Sequence, residues 1–291
     1  MKAVIASRGS HQPIVAERQR QNVGAGEVRV AVVAAAFTYF DAFVAANIEA
    51  LGLPDEVGLG FDFSGTITEI GPDMGGLAVG DRVAGLHTDI AAPVRAHTEE
   101  LVLASSAVAL VPDMLALDVA AAIPLSALTA RQALDRLGPD RGHVLVTGAA
   151  GAVGGWLVDL AARDGWKVTA LVKAGTETLV VADETITAPS GSYDAVLDAA
   201  ALHGTALAMV NDGGRYVGFK PSQRQRSERG IAVDTVQVRP DGETLAVLLR
   251  LAADGSIPVR VAGRAPLRDA PAVYQRGGSE SGSRGRWLLV P

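Results

Sequence analysis

The chain contains no cysteine among its 291 residues. That excludes a disulfide framework, a thiolate nucleophile and any cysteine-ligated zinc. Basic residues do not predominate either, and the formal net charge is -6. Such a balance offers no broad positive face to nucleic acid or an anionic membrane, so the expected partner is a small-molecule substrate. No run of about 18 apolar residues marks a membrane span, and the opening MKAVIASRG lacks the apolar core of a secretory signal. A cytoplasmic protein is expected. Aromatic residues are scarce, at 4%, but hydrophobic residues reach 48% and charged ones only 20%. These values suit an ordered protein with well-buried strands, and the length favours two domains over one.

Texture divides the chain. Short strands punctuated by glycine and proline are expected at residues 1–6, 27–36, 63–70, 81–84 and 101–104. From residue 117, "LDVAAAIPLSALTARQALDRLG" carries alanine and leucine at helical spacing and stops at Gly138, before Pro139. The pattern then alternates: strand 144–146, helix 152–163, strands 167–172 and 195–197, helix 204–210, strand 214–218. Alternation of this kind predicts parallel βαβ units with helices on the sheet faces. A helix after Pro240 and strand texture in "SIPVRVAG" and "GRWLLVP" suggest that the last residues complete the first domain. The polar stretches 222–230 and 277–285 read as loops.

The segment "VLVTGAAGAVGGW" is the chemical centre of the sequence. In Thr147-Gly-Ala-Ala-Gly-Ala-Val-Gly154, small residues allow a tight turn and let a pyrophosphate approach the amides of Gly148, Ala149, Ala150, Gly151, Ala152, Val153 and Gly154. A glycine-rich turn needed only for close packing is the alternative. The preceding strand, following helix and second strand favour dinucleotide binding. That second strand ends in Lys173 rather than in a carboxylate for the ribose diol, which points to NADPH, against the alternative of a solvated loop lysine. Tyr216-Val-Gly-Phe-Lys220 mimics the Tyr-x-x-x-Lys pair of short-chain dehydrogenases, but "GGRYVGFKP" reads as a strand. There residues four apart stand about 13 Å from each other, too far for that chemistry.

Across nearly its whole length the sequence resembles the zinc-independent medium-chain dehydrogenase/reductases of the quinone oxidoreductase and enoyl reductase type. "GEVRVAVVAAAFTYFDAFVA" is similar to a segment usually holding Asn-Tyr-x-Asp, and "GFDFSGTITEIGPDMGGLAVGDRVAGL" to the Gly-x-Asp-x-x-Gly…Gly-Asp-Arg-Val signature. "AAIPLSALTARQAL" resembles the helix leading into the cofactor domain, and "GGRYVGF" the strand passing the nicotinamide. Zinc-dependent relatives carry Gly-His-Glu-x-x-Gly where this chain has Gly60-Phe-Asp-Phe-Ser-Gly65, so no metal ligands are expected. The resemblance implies an α/β protein with a GroES-like β-rich domain, residues 1–117 with 257–291, and a Rossmann doubly wound parallel-sheet domain, residues 118–256. It further implies a homodimer and hydride transfer from NADPH to an α,β-unsaturated carbonyl, quinone or polyketide-type enoyl substrate.

On this reading Tyr39 is the candidate proton donor, with an aromatic pocket wall as its alternative role. Phe37, Thr38, Asp62 and His97 are candidate pocket residues. Asp41, Asp62 and Asp81 also fit turn and loop hydrogen bonding, and His97, in His97-Thr-Glu-Glu100 where relatives tend to Gly-Tyr/Phe-Ala-Glu, also fits a solvent-facing loop. The cofactor set is Thr129, the 148–154 turn, Lys173, Val217, Gly218 and Phe219. Between Lys173 and Ala195 the chain lacks about two helical turns relative to similar proteins. The shortening keeps open a biosynthetic cyclase of the same fold, its cofactor structural or lost.

Overall fold

Apolar residues in alternation, broken by glycine, give the chain's first strands, and the computed structural model describes residues 1–10, 12–72, 75–277 and 285–291. Two units are resolved: Met1–Leu125 with Arg239–Pro291, and Ser126–Val238. The first contains β1 (Lys2–Ser7), β2 (Ile14–Glu17), β3 (Glu27–Phe37), α1 (Tyr39–Ala46), β4 (Glu56–Gly58), β5 (Asp62–Ile70), β6 (Arg82–Leu86), β7 (Glu100–Ala104), β8 (Val108–Leu110) and α2 (Leu117–Ala120). The chain continues through α3 (Pro124–Asp135), β9 (His143–Thr147), α4 (Ala152–Arg163), β10 (Lys167–Leu171), β11 (Glu184–Ile186), β12 (Tyr193–Asp198), α5 (Gly204–Ala208), β13 (Val210–Gly218) and β14 (Ala232–Thr235). It returns to the first unit with α6 (Gly242–Ala253), β15 (Val261–Pro266), α7 (Ala270–Gly277) and β16 (Arg286–Val290). Among the described residues no helix is long and apolar enough to cross a membrane.

In the first unit a small sheet, β2-β1-β4, accompanies a larger one, β15-β16-β3-β5-β6-β8, with β7 also paired to β3. The row Ala34–Ala36 lets Ala121 and Ala122 pack close against β3. Proline at the start of α3 fits the first helical turn, where no amide is needed. The expected helical stretch therefore divides into α2 and α3, and it stops at Gly138, whose φ is 73°.

The unit boundaries differ from those expected from sequence. Residues 118–125 and 239–256 belong to the β-rich unit. Close approach explains the second difference: a Cβ on Gly242 would run into the carbonyl oxygen of Val108, so α6 lies directly against β8. Its Leu245, Leu248 and Leu249 are buried. Of the loop expected at 277–285, all but the two end residues lie outside the described residues.

The second unit is a parallel sheet of order β11-β10-β9-β12-β13-β14. Numbered from β9, this is the 3-2-1-4-5-6 order of a doubly wound fold, whose direction reverses between β9 and β12. Strand β9 is buried from Val144 to Thr147, as a strand covered on both faces must be. The connection from β10 to β11 carries only a three-residue 3-10 turn, Glu177–Leu179, in place of a helix.

Candidate functional site

The turn after β9 has glycine at three positions, for two reasons. Gly148 has φ 61°, in the left-handed region. A Cβ on Gly151 would come 3.0 Å from Gly148 O, and one on Gly154 would press into the same oxygen and sit 2.7 Å from Ala149 Cα. The turn is closed by the Gly151 amide donating to Gly148 O (2.8 Å) and tied to β10 by Ala149 N–H on Leu171 O (3.2 Å). Gly151 is the N-cap of α4 and supplies no side-chain cap. It and Ala152 are exposed while Gly154 is buried. An open helix end of this kind, with its positive dipole, suits an anion.

Beneath the turn lies a polar network that the sequence reading did not anticipate. Asp198, at the end of β12 and 1% exposed, accepts four hydrogen bonds. They come from Thr147 Oγ1 (2.7 Å), Tyr216 OH (2.8 Å) and the amides of Leu202 (2.9 Å) and His203 (2.8 Å). Thr147 Oγ1 in turn accepts from the Ala200 amide (2.9 Å). The network holds the segment after β12 in a shape where Ala201 and His203 have φ of 56° and 55°. Positive φ at non-glycine residues is strained and persists only where surrounding bonds enforce it. Tyr216 lies in β13, so its spacing to Lys220 is fortuitous; burial, then Asp198, hold its hydroxyl well above the usual phenol range. The available clue was an aspartate closing an apolar strand next to the glycine turn.

Of the other cofactor candidates, Val217, Gly218 and Phe219 lie at the end of β13 and Lys173 just past β10, whereas Thr129 lies within α3. Thr147, Asp198 and Gly218 are aligned in register. Val217 and Gly218 are buried, Phe219 and Thr129 half-buried, and Lys173 exposed just past β10.

In the first unit Tyr39 is the first residue of α1 and is 59% exposed. Its helix is fixed by a capping box in which Asp41 Oδ2 accepts from Thr38 N (2.9 Å) and Thr38 Oγ1 (2.8 Å), while Asp41 N donates to Thr38 Oγ1 (3.1 Å). Asp41 Oδ1 also takes the Gly60 amide (2.9 Å). Thr38, a pocket candidate from the sequence, is therefore the buried cap of α1. Three further pocket candidates are interior too. Phe37 is 5% exposed and packs edge-on to Tyr274 at 4.8 Å. His97 is fully buried, against the expectation of a pocket or a solvent-facing loop, with Nδ1 2.9 Å from Tyr274 OH and Nε2 3.2 Å from Ala36 O. A carbonyl only accepts, so Nε2 carries the proton and Nδ1 receives the Tyr274 hydroxyl hydrogen. Burial holds this imidazole below its usual pKa.

Asp62 is the fourth. It is fully buried, and its Oδ1 accepts the Leu125 amide at the start of α3 while Oδ2 has no hydrogen-bond partner. Burial, with Asp41 adding to it, raises this carboxyl from 3.8 to about 7 against the opposing pull of Arg286 and the Leu125 amide. The folded chain thus holds the proton more tightly than the unfolded one, so stability present below the unfolded pKa of 3.8 is lost as pH rises toward about 7. Urea midpoints of wild type are expected to fall across that window relative to Asp62→Asn; parallel pH profiles would refute this.

The alcohol dehydrogenase GroES-like domain family matches residues 24–109. The quinone oxidoreductase of Coxiella burnetii superposes with a TM-score of 0.87 at 22% identity, covering 100% of this chain and 99% of that one. Erythronolide synthase EryA2 of Saccharopolyspora erythraea is 34% identical over 258 residues, 86% of this chain but 6% of that protein. The trans-enoyl reductase thnE of Trichoderma harzianum is 34% identical over 202 residues, 56% of this chain and 55% of its own length. Residues 24–109 thus form an alcohol dehydrogenase GroES-like domain, and the chain as a whole has the fold of the quinone oxidoreductase. It spans a small part of the synthase and about half of the reductase.

A nicotinamide dinucleotide is the cofactor this fold implies, and the second unit fits one. Gly151 and Gly154 let the turn fold tightly onto its own backbone, the α4 N-terminus at Gly151 and Ala152 is exposed with no side-chain cap, and the turn stands where the sheet order reverses. Among the described residues no group of three or more His, Asp or Glu side chains is placed to hold a metal ion. Where a zinc-dependent relative would have histidine, Phe61 is buried and lies against the Arg95 guanidinium.

Proposed function

We propose that this oxidoreductase reduces an activated carbon–carbon double bond of an enone, quinone or polyketide-type enoyl substrate with NADPH, without zinc. The observation that carries the reading is the open glycine turn at the reversal point of a 3-2-1-4-5-6 sheet, in a chain similar to a trans-enoyl reductase. When bound, NADPH supplies the hydride. The amides of 151–153 would hold its pyrophosphate, and Lys173 would offer a cation to the ribose phosphate. Val217, Gly218, Phe219 and Thr129 would border the nicotinamide end. Tyr39, held at the head of α1 by the Thr38–Asp41 cap, donates a proton to the enolate or its carbon. The edge strand β14 supports a homodimer joined along that edge.

Titration with NADPH and NADH, followed by turnover on an enone panel, tests the reading. NADPH is expected to bind more tightly, with Lys173→Ala narrowing the preference about tenfold; equal affinities in wild type would overturn the assignment. Failure to bind either nucleotide would favour the cyclase, for which the helix-free connection from β10 to β11 speaks. Tyr39→Phe is expected to lower turnover about 100-fold at nearly unchanged NADPH affinity. An unchanged rate would leave Tyr39 as a wall.

A further inference from the structure

Arg95 is fully buried, yet its Nε and Nη1 have no hydrogen-bond partner, and its Nη2 reaches only His87 O at 3.4 Å. It joins no ion pair among the described residues. Asp41 and Asp89 act on it from a distance, but Asp41 is already engaged by Thr38 and Gly60 and Asp89 by the Ala91 amide. A buried guanidinium with unmet donors is unfavourable, and it persists where something else repays the penalty. Its surroundings indicate what that is. The guanidinium lies 3.9 Å over the ring of Phe61, which meets Phe40 at 5.2 Å, and Phe40 stacks on Phe43 at 5.7 Å. Four of the six phenylalanines, at 37, 40, 43 and 61, thus fall in or beside α1. Tyr39, Phe40 and Phe43 together expose an aromatic face, more than a surface helix needs for its own packing.

We propose that Arg95 is the recognition residue of a site for a monoanionic organic acid, its carboxylate taken by Nε and Nη1 and its apolar body laid on Tyr39, Phe40 and Phe43. The charge count favours a carboxylate over a phosphate. The neighbouring imidazole of His87 is kept neutral, lowered to about 4 by burial and by Arg95 itself, so one cation faces the ligand rather than two. Entry requires Phe61 to turn away from the guanidinium. The site shares Tyr39 with the proposed reduction but does not rest on it, since binding is read without nucleotide or turnover.

Thermal unfolding with octanoate, and with octanamide as the neutral control at the same ionic strength, tests it. Octanoate is expected to raise the wild-type midpoint and octanamide to leave it unchanged. Arg95→Met, relieved of a buried charge, is expected to unfold at or above the wild-type midpoint and to bind octanoate at least about tenfold more weakly. Phe43→Ala, an exposed position, is expected to keep its midpoint and weaken octanoate severalfold. The proposal is overturned if octanoate gives wild type no specific shift, if the Met variant responds like wild type, or if that variant is less stable than wild type. The last result would make the guanidinium a structural member of the core.

Discussion

Gly154→Val is expected to lower affinity for NADPH by at least about 100-fold while the fold survives. A Cβ there would press into Gly148 O and sit 2.7 Å from both the Ala149 Cα and the Gly148 carbonyl carbon. These are backbone atoms, which no rotamer change can move aside. The turn would have to open or α4 shift along its axis, and either change takes the 151–153 amides away from the pyrophosphate. Gly151→Ala is the graded control. Its Cβ would lie 3.0 Å from one oxygen, so a shift of a few tenths of an ångström would suffice and the loss should be smaller. Circular dichroism would verify folding, and fluorescence titration would give the affinities. Wild-type affinity in the valine variant would remove the glycine turn from the cofactor site and, with it, the main support for the reductase.

Asp198→Ala should be the most destabilising single truncation in the second unit, by about 3–5 kcal/mol. It removes the acceptor for Thr147 Oγ1, Tyr216 OH and two amides at once, in a place water does not reach. Tyr216→Phe deletes one donor and leaves the carboxylate three others, so its cost should be near 1 kcal/mol. Urea denaturation of the two variants and their combination closes a double-mutant cycle. If the network acts as one unit, the double variant will be less destabilised than the sum of the single ones. A loss below 1 kcal/mol for Asp198→Ala would show that the 199–203 segment holds its shape without the carboxylate.

The parts of this protein legible in its sequence are those where the cause is local. Strand β9, the turn at 148–154 and α4 follow from one continuous run of residues, as does the missing helix between Lys173 and Glu184. The rejection of a Tyr216–Lys220 pair followed from strand geometry alone. Legibility failed where a residue's role depends on distant segments. Asp198 is an ordinary strand-ending aspartate until residues 147 and 216 are placed beside it. Phe37 and His97 stand beside motifs expected at a pocket, but the direction of their side chains is set by Tyr274, far away in the chain. The helix α1 is a different failure. Thr38-x-x-Asp41 before an apolar run is a helix-start signal, and the resemblance of the same residues to a family motif masks it.

The pairing of β16 with β3 sets Trp287 opposite Phe37 and Leu289 opposite Ala35, about 250 residues apart in sequence. Every strand of the second unit lies between them. During synthesis, the parallel sheet can therefore assemble from one uninterrupted stretch while β3 still waits for its last neighbour on one side. Loop closure over so long a span is slow, so the final, rate-limiting event of refolding should be the docking of residues 286–290. Until then the chain presents an open sheet edge, the state in which it is most exposed to association with itself.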